Sequence, residues 1–331
     1  MIKVTFKNVG QGDSIILEWE QNGESKIGIV DCNLLNSENP VLTHISNIGP
    51  KEIEFIILSH PHKDHFSGFR ELLQYCREKN ICIKKFFHTA QTTPDYLKSA
   101  SRSVVADNEL FELFVLLKNM KLKNEIKVYA INDNPLLQLN LGNEFVMEIL
   151  APSSIETDKF IRGVNFPFDE EESTSNPNAN WLSTVLKISN NKRTILLTSD
   201  VESSVLNRLA KEESARLGES SLILVQAPHH GSKHNLSKAF WKTRKRDNIT
   251  PLVVSVGKNG HGHPSPELIN FFNDQESYEI VRTDIVIDDF EKTIEEKESS
   301  AILDSHSTLY KPTRLGGDKV FTITGTSIKM T

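Results

Sequence analysis

One short stretch decides the fold of this chain: FIILSHPHKDHFSGF, residues 55–69. Its first four residues are all apolar and predict a short, fully buried β-strand. The strand runs directly into the histidine-rich segment HPHKDH, residues 60–65. Apolar side chains then recur at the i, i+3, i+4 and i+7 spacing of one helix face, at Phe69, Leu72, Leu73 and Cys76. The stretch therefore predicts a strand, a histidine-rich loop and a helix in succession.

The histidine-rich loop has the composition of a metal site. Neutral imidazole and carboxylate groups are the usual nitrogen and oxygen ligands of zinc and similar ions. In an extended loop, residues i and i+2 point the same way, so His60 and His62 can hold one ion. Asp64 and His65 follow where the chain turns into the helix, and they can reach a second ion nearby. Four potential ligands in six residues favour metal binding over a polar loop that is rich in histidine by chance.

Composition places the chain among ordinary globular proteins. Hydrophobic residues make up 38% and charged residues 25% of its 331 residues, which argues against disorder. No apolar run approaches the roughly 18 residues that cross a bilayer, and residues 1–20 lack the apolar segment of a secretion signal. The three cysteines form no CxxC pair, so neither a disulfide framework nor a thiolate zinc site is expected. We therefore expect a cytoplasmic protein with no membrane association.

The order of predicted elements indicates one α/β domain. The length alone would allow two domains, but strands come in runs broken by a few helices, and strand ends repeatedly deliver histidine or aspartate. We predict a single domain over residues 1–331. It carries a helical insertion at about 94–124, a loop insertion at about 153–180 and a C-terminal insertion at about 288–316.

Further motifs surround HPHKDH in a fixed order between residue 8 and about residue 284. They are NVGQGDSIIL, IVDCN, NWLSTVLKI, TILLTSDVE, APHHGSKHN, SVGKNGHGHPSPELI and IVRTD. With the HxHxDH signature, the chain resembles the metallo-β-lactamase superfamily, and within it the branch that contains the hydrolase domain of the DNA-uptake protein ComEC. The resemblance implies an αββα four-layer sandwich with a two-metal site at one edge of the paired sheets.

The resemblance also implies the ligands of two divalent ions, zinc or manganese. His60 and His62 would hold the first ion, and Asp64 and His65 the second. Asp200, at the end of the TILLTSD strand, would bridge both ions. An aspartate at a strand end is by itself more often a turn residue, so this assignment depends on the other motifs.

The HHGS motif would complete the second site. The resemblance assigns the ligand to His229, although His230 beside it could exchange roles. His230 and Lys233 are both candidates for donating a proton to a leaving oxygen, and the sequence does not choose between them.

One position departs from the superfamily pattern. Many members supply a further histidine to the first metal from a strand that precedes the bridging aspartate. The corresponding strand here, residues 144–150, ends in Ala151 and Pro152, and the one histidine of the interval is His88. We expect this ligand position not to be histidine, which leaves the first ion more open to water or substrate.

Three more residues match family positions around the site. Asp31 follows the third strand, where the family uses an acidic residue to orient a ligand loop by hydrogen bonds; a turn-forming aspartate is the alternative. Asp13 and Gln11, in the glycine turn, are expected at the rim of the site. His263 matches the histidine of the GHP element and either faces the site or is a solvated surface group.

A basic run follows the HHGS motif. Residues 233–246, from Lys233 to Arg246, hold six lysine or arginine residues and no acid, in a chain with net charge −6. The net charge argues against a general nucleic-acid coat but says little about a local site. If the run is helical, Leu236, Ala239 and Phe240 face inward and Lys238, Lys242 and Lys245 share a face. That face is either simply solvated or an anion-attracting rim that would contact nucleic acid.

The leading functional hypothesis is a metal-dependent hydrolase that cleaves a phosphodiester, a nuclease acting on DNA or RNA. Its catalytic residues would be Asp64, Asp200, His230, Lys233 and His263. The second hypothesis keeps the metals and takes a small phosphodiester or a choline-phosphate ester as substrate. The third is a non-catalytic binding module with structural metals, and the complete ligand set weighs against it.

Overall fold

The computed structural model describes residues 1–89, 103–165, 178–212, 214–285, 316–325 and 327–331. Its strands in chain order are β1 Ile2–Phe6, β2 Ile15–Gln21, β3 Glu24–Val30, β4 Glu52–Ile53, β5 Phe55–Leu58, β6 Cys82–Ile83, β7 Lys85–His88, β8 Lys127–Ala130, β9 Gln138–Leu141, β10 Phe145–Ala151, β11 Val185–Ser189, β12 Arg193–Leu197, β13 Ser221–Gln226, β14 Thr250–Val254, β15 Tyr278–Arg282, β16 Lys319–Thr324 and β17 Ser327–Met330. The α-helices are α1 Pro40–Ile48, α2 Lys63–Phe66, α3 Phe69–Glu78, α4 Val104–Leu122, α5 Ser154–Asn165, α6 Ser203–Glu212, α7 Ser214–Leu217, α8 Lys238–Lys242 and α9 Pro266–Asn273.

Most of the strands form two mixed sheets. The first has the order β17-β16-β1-β2-β3-β5-β7-β8 and the second the order β15-β14-β13-β12-β11-β10-β9. In each sheet one part is antiparallel and the other parallel: β3, β5, β7 and β8 run parallel in the first sheet, and β12 to β15 in the second. Parallel strands end at the same edge of a sheet, so the loops that follow them are brought together.

Apolar side chains from the two sheets meet in a central core. The inner face of the first sheet contributes residues such as Phe6 and Phe321, and the second contributes Phe145 and Ile188. Helices α1, α3 and α4 cover the outer face of the first sheet, while α6, α8 and α9 cover the second. The layers therefore follow the expected order of helix, sheet, sheet and helix.

Strand β5 shows why this stretch is apolar throughout. Phe55 and Ile57 enter the core between the sheets, while Ile56 and Leu58 pack against the helices outside. Each fully buried side chain of this size stabilises the fold by about 1.5–3 kcal/mol. All four residues are buried, as the sequence predicted.

Helix α4 occupies most of the predicted helical insertion. It begins after Ser103, whose hydroxyl accepts a hydrogen bond from the Ala106 amide at 3.1 Å. Its expected inner face is buried, at Leu110, Phe114, Leu117 and Met120. Residues 94–102 of the predicted insertion, and 288–315 of the C-terminal one, lie outside the described residues.

The predicted loop over residues 153–180 is wrong in its first part, because residues 154–165 form helix α5. The cause is a capping box at its start. The Ser153 hydroxyl accepts from the Ile155 amide, and the Glu156 carboxylate accepts from the Ser153 amide at 2.6 Å. This S-x-x-E pattern satisfies backbone donors that a helix otherwise leaves unpaired. Residues 166–177 of the predicted loop lie outside the described residues.

No helix in the described ranges is both long enough and apolar enough to cross a membrane.

Candidate metal centre

The candidate ligands come from loops that leave the ends of the strands. His60 follows β5, Asp200 follows β12, and the HHGS motif follows β13. The loop after β14 adds His263. Residues that are up to 203 positions apart in sequence thus meet at one edge of the two sheets.

A first group combines His60, His62 and Asp200. Each offers a ligand atom, and these atoms all lie within 4.8 Å of one another. Nε2 of His60 is 2.9 Å from Nδ1 of His62 and 3.7 Å from Oδ2 of Asp200. The i and i+2 histidines therefore converge as the extended loop predicted.

A second group lies on the other side of the Asp200 carboxylate. Nε2 of His230 is 3.4 Å from Oδ1 of Asp200 and 3.4 Å from Oδ2 of Asp64. Nε2 of His65 is 3.5 Å from the same Asp200 oxygen. Two ligands about 2.1 Å from a tetrahedral ion lie about 3.4 Å apart. The spacing of these atoms therefore suits a common cation.

The outer nitrogens of both histidines are held by hydrogen bonds. Nδ1 of His230 donates to the carbonyl oxygen of Ser255 at 2.9 Å, and Nδ1 of His65 lies 2.7 Å from Oδ2 of Asp31. A carbonyl can only accept, so Nδ1 of His230 carries the proton, and the acidic partner fixes His65 in the same way. The Nε2 atoms that remain carry lone pairs aimed at carboxylate oxygens.

This arrangement fits a divalent cation. Nε2 of His65, Nε2 of His230 and Oδ1 of Asp200 are buried and have no hydrogen-bond partner. Buried polar atoms without partners are costly, and acceptors that face one another repel. A cation among them would remove both costs.

The charges in the pocket influence one another strongly. Burial lowers the pKa of His230, but the Asp200 and Asp64 carboxylates outweigh it and raise the pKa to about 9. Burial raises the pKa of Asp200, yet the histidines around it outweigh that effect and hold its pKa well below the usual value. The carboxylates thus favour positive charge at this point.

The structure exchanges the expected positions of His229 and His230. Both adopt left-handed backbone conformations, with φ of 47° and 52°, which are strained for residues other than glycine. This double turn carries His230 into the second group, whereas Nε2 of His229 faces the other Asp200 oxygen, Oδ2, at 3.4 Å. His230 is buried in that group and so cannot be the exposed proton donor considered from the sequence.

Asp31 orients the ligand loop. Its carboxylate accepts hydrogen bonds from the Ser59 amide at 2.7 Å and the Ser59 hydroxyl at 2.6 Å, in addition to the His65 contact. These three bonds link the end of β3 to both ends of the HPHKDH segment. Asp31 is therefore placed as an orienting residue, as the resemblance implied.

Asp13 is not at the rim but buried. Its backbone amide donates to the carbonyl of Asp64 at 3.1 Å, which docks the glycine turn on the histidine-rich loop. Gly12 has φ of 137°, and a side chain there would collide with that Asp64 carbonyl. The sequence placed Asp13 near the site but did not show that the turn packs underneath it.

An open cleft of about 870 Å³ lies over both groups. Among its lining residues are His62, Asp200, Asn180, His229, His261 and His263. His263 thus faces the site, with its ring 5.4 Å from that of His229. Lys233 is exposed and does not line the cleft, while Gln11 does.

His88 belongs to a different place. It lines a separate cavity of about 580 Å³, and its ring packs at 4.8 Å against the ring of Phe114. The first group therefore forms without it.

Asn235 is a site residue that sequence reasoning did not single out. Its side-chain amide nitrogen donates to the carbonyls of Asp200 and Val201, at 3.2 and 2.8 Å. Its side-chain oxygen therefore faces Nδ1 of His229, at 3.1 Å. The signal was its place in the motif HHGSKHN, which turns the chain back towards the Asp200 loop.

The basic run departs from its predicted geometry. Helix α8 spans only Lys238–Lys242, so Lys245 lies beyond it and the three lysines do not share one helix face. The helix ends because the Thr243 hydroxyl and the Arg244 guanidinium bond to the carbonyl of Phe240. Phe240 is buried as expected, but Ala239 is exposed. The lysines are nonetheless all exposed.

Comparisons with known proteins agree with this architecture. Residues 10–150 match the model of the metallo-β-lactamase superfamily. The chain has the metallo-β-lactamase fold. No curated protein matches its sequence. The resemblance to the ComEC branch stays a prediction.

Three solved structures of the metallo-β-lactamase fold illustrate the similarity. YhfI from Bacillus subtilis is 13% identical, with a TM-score of 0.44, covering 85% of this chain and 96% of that one. Zinc-bound PqqB from Methylobacterium extorquens is 10% identical, with a TM-score of 0.45, covering 85% and 98%. A long-form RNase Z from yeast is 12% identical, with a TM-score of 0.38, covering 78% of this chain and 37% of that one.

Proposed function

We propose that this protein is a metal-dependent hydrolase that cleaves a phosphodiester, with DNA or RNA as its substrate. The observation that carries the proposal is the position of Asp200. One of its carboxylate oxygens faces His65 and His230, and the other faces His60. A single carboxylate shared in this way is suited to hold two cations side by side.

The ligand assignment follows from these contacts. His60 and His62 hold the first ion, and three residues hold the second: Asp64, His65 and His230. Asp200 bridges the two. When bound, a pair of zinc or manganese ions would acidify a water nucleophile and neutralise charge on the phosphoryl group.

The residues of the chain orient the site and supply protons. Asp31 and the Ser255 carbonyl keep the Nε2 atoms of His65 and His230 free for ligation. His229 is better placed than His230 or Lys233 to give a proton to the leaving oxygen. It lines the cleft, its side chain is 25% exposed, and Asn235 fixes its ring.

The charge around the cleft supports a nucleic-acid substrate. Ser232, His234 and Asn235 line the cleft, and the exposed Lys238 follows three residues later. Lys238 makes one exposed ion pair, 3.4 Å from Glu267, and such pairs are weak. A phosphate backbone can therefore compete for this lysine.

Metal content tests the proposal most directly. Purified protein is expected to carry about two transition-metal ions per chain and to hydrolyse phosphodiesters. Chelation should abolish hydrolysis, and adding Mn²⁺ or Zn²⁺ back should restore it. Elemental analysis and a panel of DNA, RNA and chromogenic phosphodiesters measure this. No metal uptake on titration would refute the site, and two bound ions without turnover on any phosphodiester would favour a binding module.

Charge reversal on the basic run separates polymer from small substrate. Changing Lys238, Lys242 and Lys245 to glutamate is expected to lower nucleic-acid cleavage about tenfold or more, because each phosphate that the protein no longer neutralises weakens binding. The salt dependence of cleavage should also flatten, by about 0.9 in logarithmic slope for each such phosphate on duplex DNA. Hydrolysis of a small chromogenic phosphodiester should stay within about threefold of the parent.

The matched control for this variant reverses three other exposed lysines, Lys51, Lys79 and Lys123. It changes the net charge equally and should leave both substrates unaffected. Unchanged cleavage of nucleic acid by the first variant would instead favour a small phosphodiester or choline-phosphate-type ester as substrate.

A further inference from the structure

Asp13 is a buried carboxylate without an evident structural role for one of its oxygens. Its side chain is 2% exposed, and Oδ1 has no hydrogen-bond partner. Its charged neighbours are Nδ1 of His65 at 3.8 Å and Nδ1 of His230 at 3.9 Å. These distances are too long for hydrogen bonds.

The two imidazoles do not neutralise Asp13 by donating to it. Nδ1 of His65 is engaged by Asp31, and Nδ1 of His230 by the Ser255 carbonyl. A carboxylate kept in a buried place without such partners is costly unless a positive charge lies close by. The burial of Asp13 therefore points to a cation.

Geometry directs the same carboxylate at the second group. Asp13, His65, Asp200 and His230 each offer a ligand atom, and these atoms all lie within 4.8 Å of one another. All four residues are buried. Asp13 thus belongs to the set of side chains that surrounds the position of the second ion.

The turn that carries Asp13 is held firmly in this position. The Ser14 hydroxyl accepts from the Asn33 amide at 2.8 Å, and the Asn33 side chain donates to the Gln11 carbonyl at 2.9 Å. The Asp13 amide bonds to the Asp64 backbone in addition. A ligand position needs this kind of support, because the ion tolerates little displacement of its donors.

We propose that Asp13 is an additional ligand of the second ion and makes this site selective for manganese over zinc, relative to the first site. The inference rests on the proposed two-metal hydrolase. The second site would then offer oxygens from Asp13, Asp64 and Asp200 with two imidazoles, whereas the first is richer in imidazole.

The donor sets carry the selectivity. Carboxylate oxygens suit Mn²⁺, which takes more ligands, and imidazole suits Zn²⁺, which prefers four. A fifth protein ligand therefore improves Mn²⁺ binding more than it improves Zn²⁺ binding. The two sites of the protein should accordingly differ in metal preference.

The test substitutes Asp13→Asn, which keeps the size of the side chain and removes its charge. Mn²⁺ titration of metal-free protein, followed by electron paramagnetic resonance, measures each site without an activity assay. We expect the parent to bind two Mn²⁺ ions and the variant to bind one of them at least about tenfold more weakly. Zn²⁺ affinity should fall less, and the rise in Tm on adding Mn²⁺ should shrink.

Ser14→Ala is the matched control. It removes the hydroxyl that anchors the same turn but leaves the Asp13 carboxylate in place. Its Mn²⁺ affinity should stay within about threefold of the parent. Equal Mn²⁺ binding by Asp13→Asn and the parent would overturn the proposal, and so would equal losses in Asp13→Asn and Ser14→Ala or equal losses for Mn²⁺ and Zn²⁺. Those outcomes leave the two-metal hydrolase standing, whereas a parent that binds no metal refutes both.

Discussion

Asp200→Ala is expected to abolish phosphodiester hydrolysis and to reduce the bound metal to at most one ion per chain. The two carboxylate oxygens of Asp200 face different groups of histidines. Losing an outer partner of a metal ligand typically costs about 10–100-fold in activity, and losing a shared ligand should cost more. Steady-state kinetics and elemental analysis measure the two effects.

His263→Ala is the comparison for this variant. His263 lines the same cleft but reaches neither group of candidate ligands, so its loss should reduce activity far less and leave the metal content unchanged. Circular dichroism should show that both variants are folded. An active Asp200→Ala together with an inactive His263→Ala would contradict the assignment of the bridge.

Asp31→Ala is expected to lower the free energy of unfolding by about 3 kcal/mol and metal affinity by about 10–100-fold. The side chain accepts three hydrogen bonds in a buried place, from the Ser59 amide, the Ser59 hydroxyl and His65. Alanine leaves those donors without partners and frees the His65 ring to turn. Denaturant unfolding of the metal-free protein measures stability separately from metal binding, which a titration measures.

Asp31→Asn provides a graded control for that variant. It retains one acceptor oxygen for Ser59 and should therefore lose less stability than Asp31→Ala. If Asp31→Ala unfolds at the parent's denaturant concentration and binds metal as the parent does, Asp31 is a turn residue and does not orient the ligand loop.

Local sequence was sufficient wherever a single periodicity or spacing governed the structure. The apolar run 55–58 predicted a buried strand because every one of its positions faces a core. The spacing of His60 and His62 predicted their convergence because side chains at i and i+2 of an extended chain point to the same side. Ser153 and Glu156 carried an equally local signal for helix α5, and their capping pattern was overlooked among the polar residues around them.

By itself, the sequence determined the fold, the candidate ligand loop and the neighbourhood of Asp200, since each follows from motifs in a fixed order. Only the tertiary structure decided between His229 and His230, because two successive left-handed residues reverse the directions that sequence order suggests. It also decided that Asp13 is buried beneath the histidine-rich loop rather than exposed at its rim. That contact joins backbone atoms of two distant turns, the Asp13 amide and the Asp64 carbonyl. Backbone groups are the same in every residue, so no pattern of side chains along the chain can encode which two of them will meet.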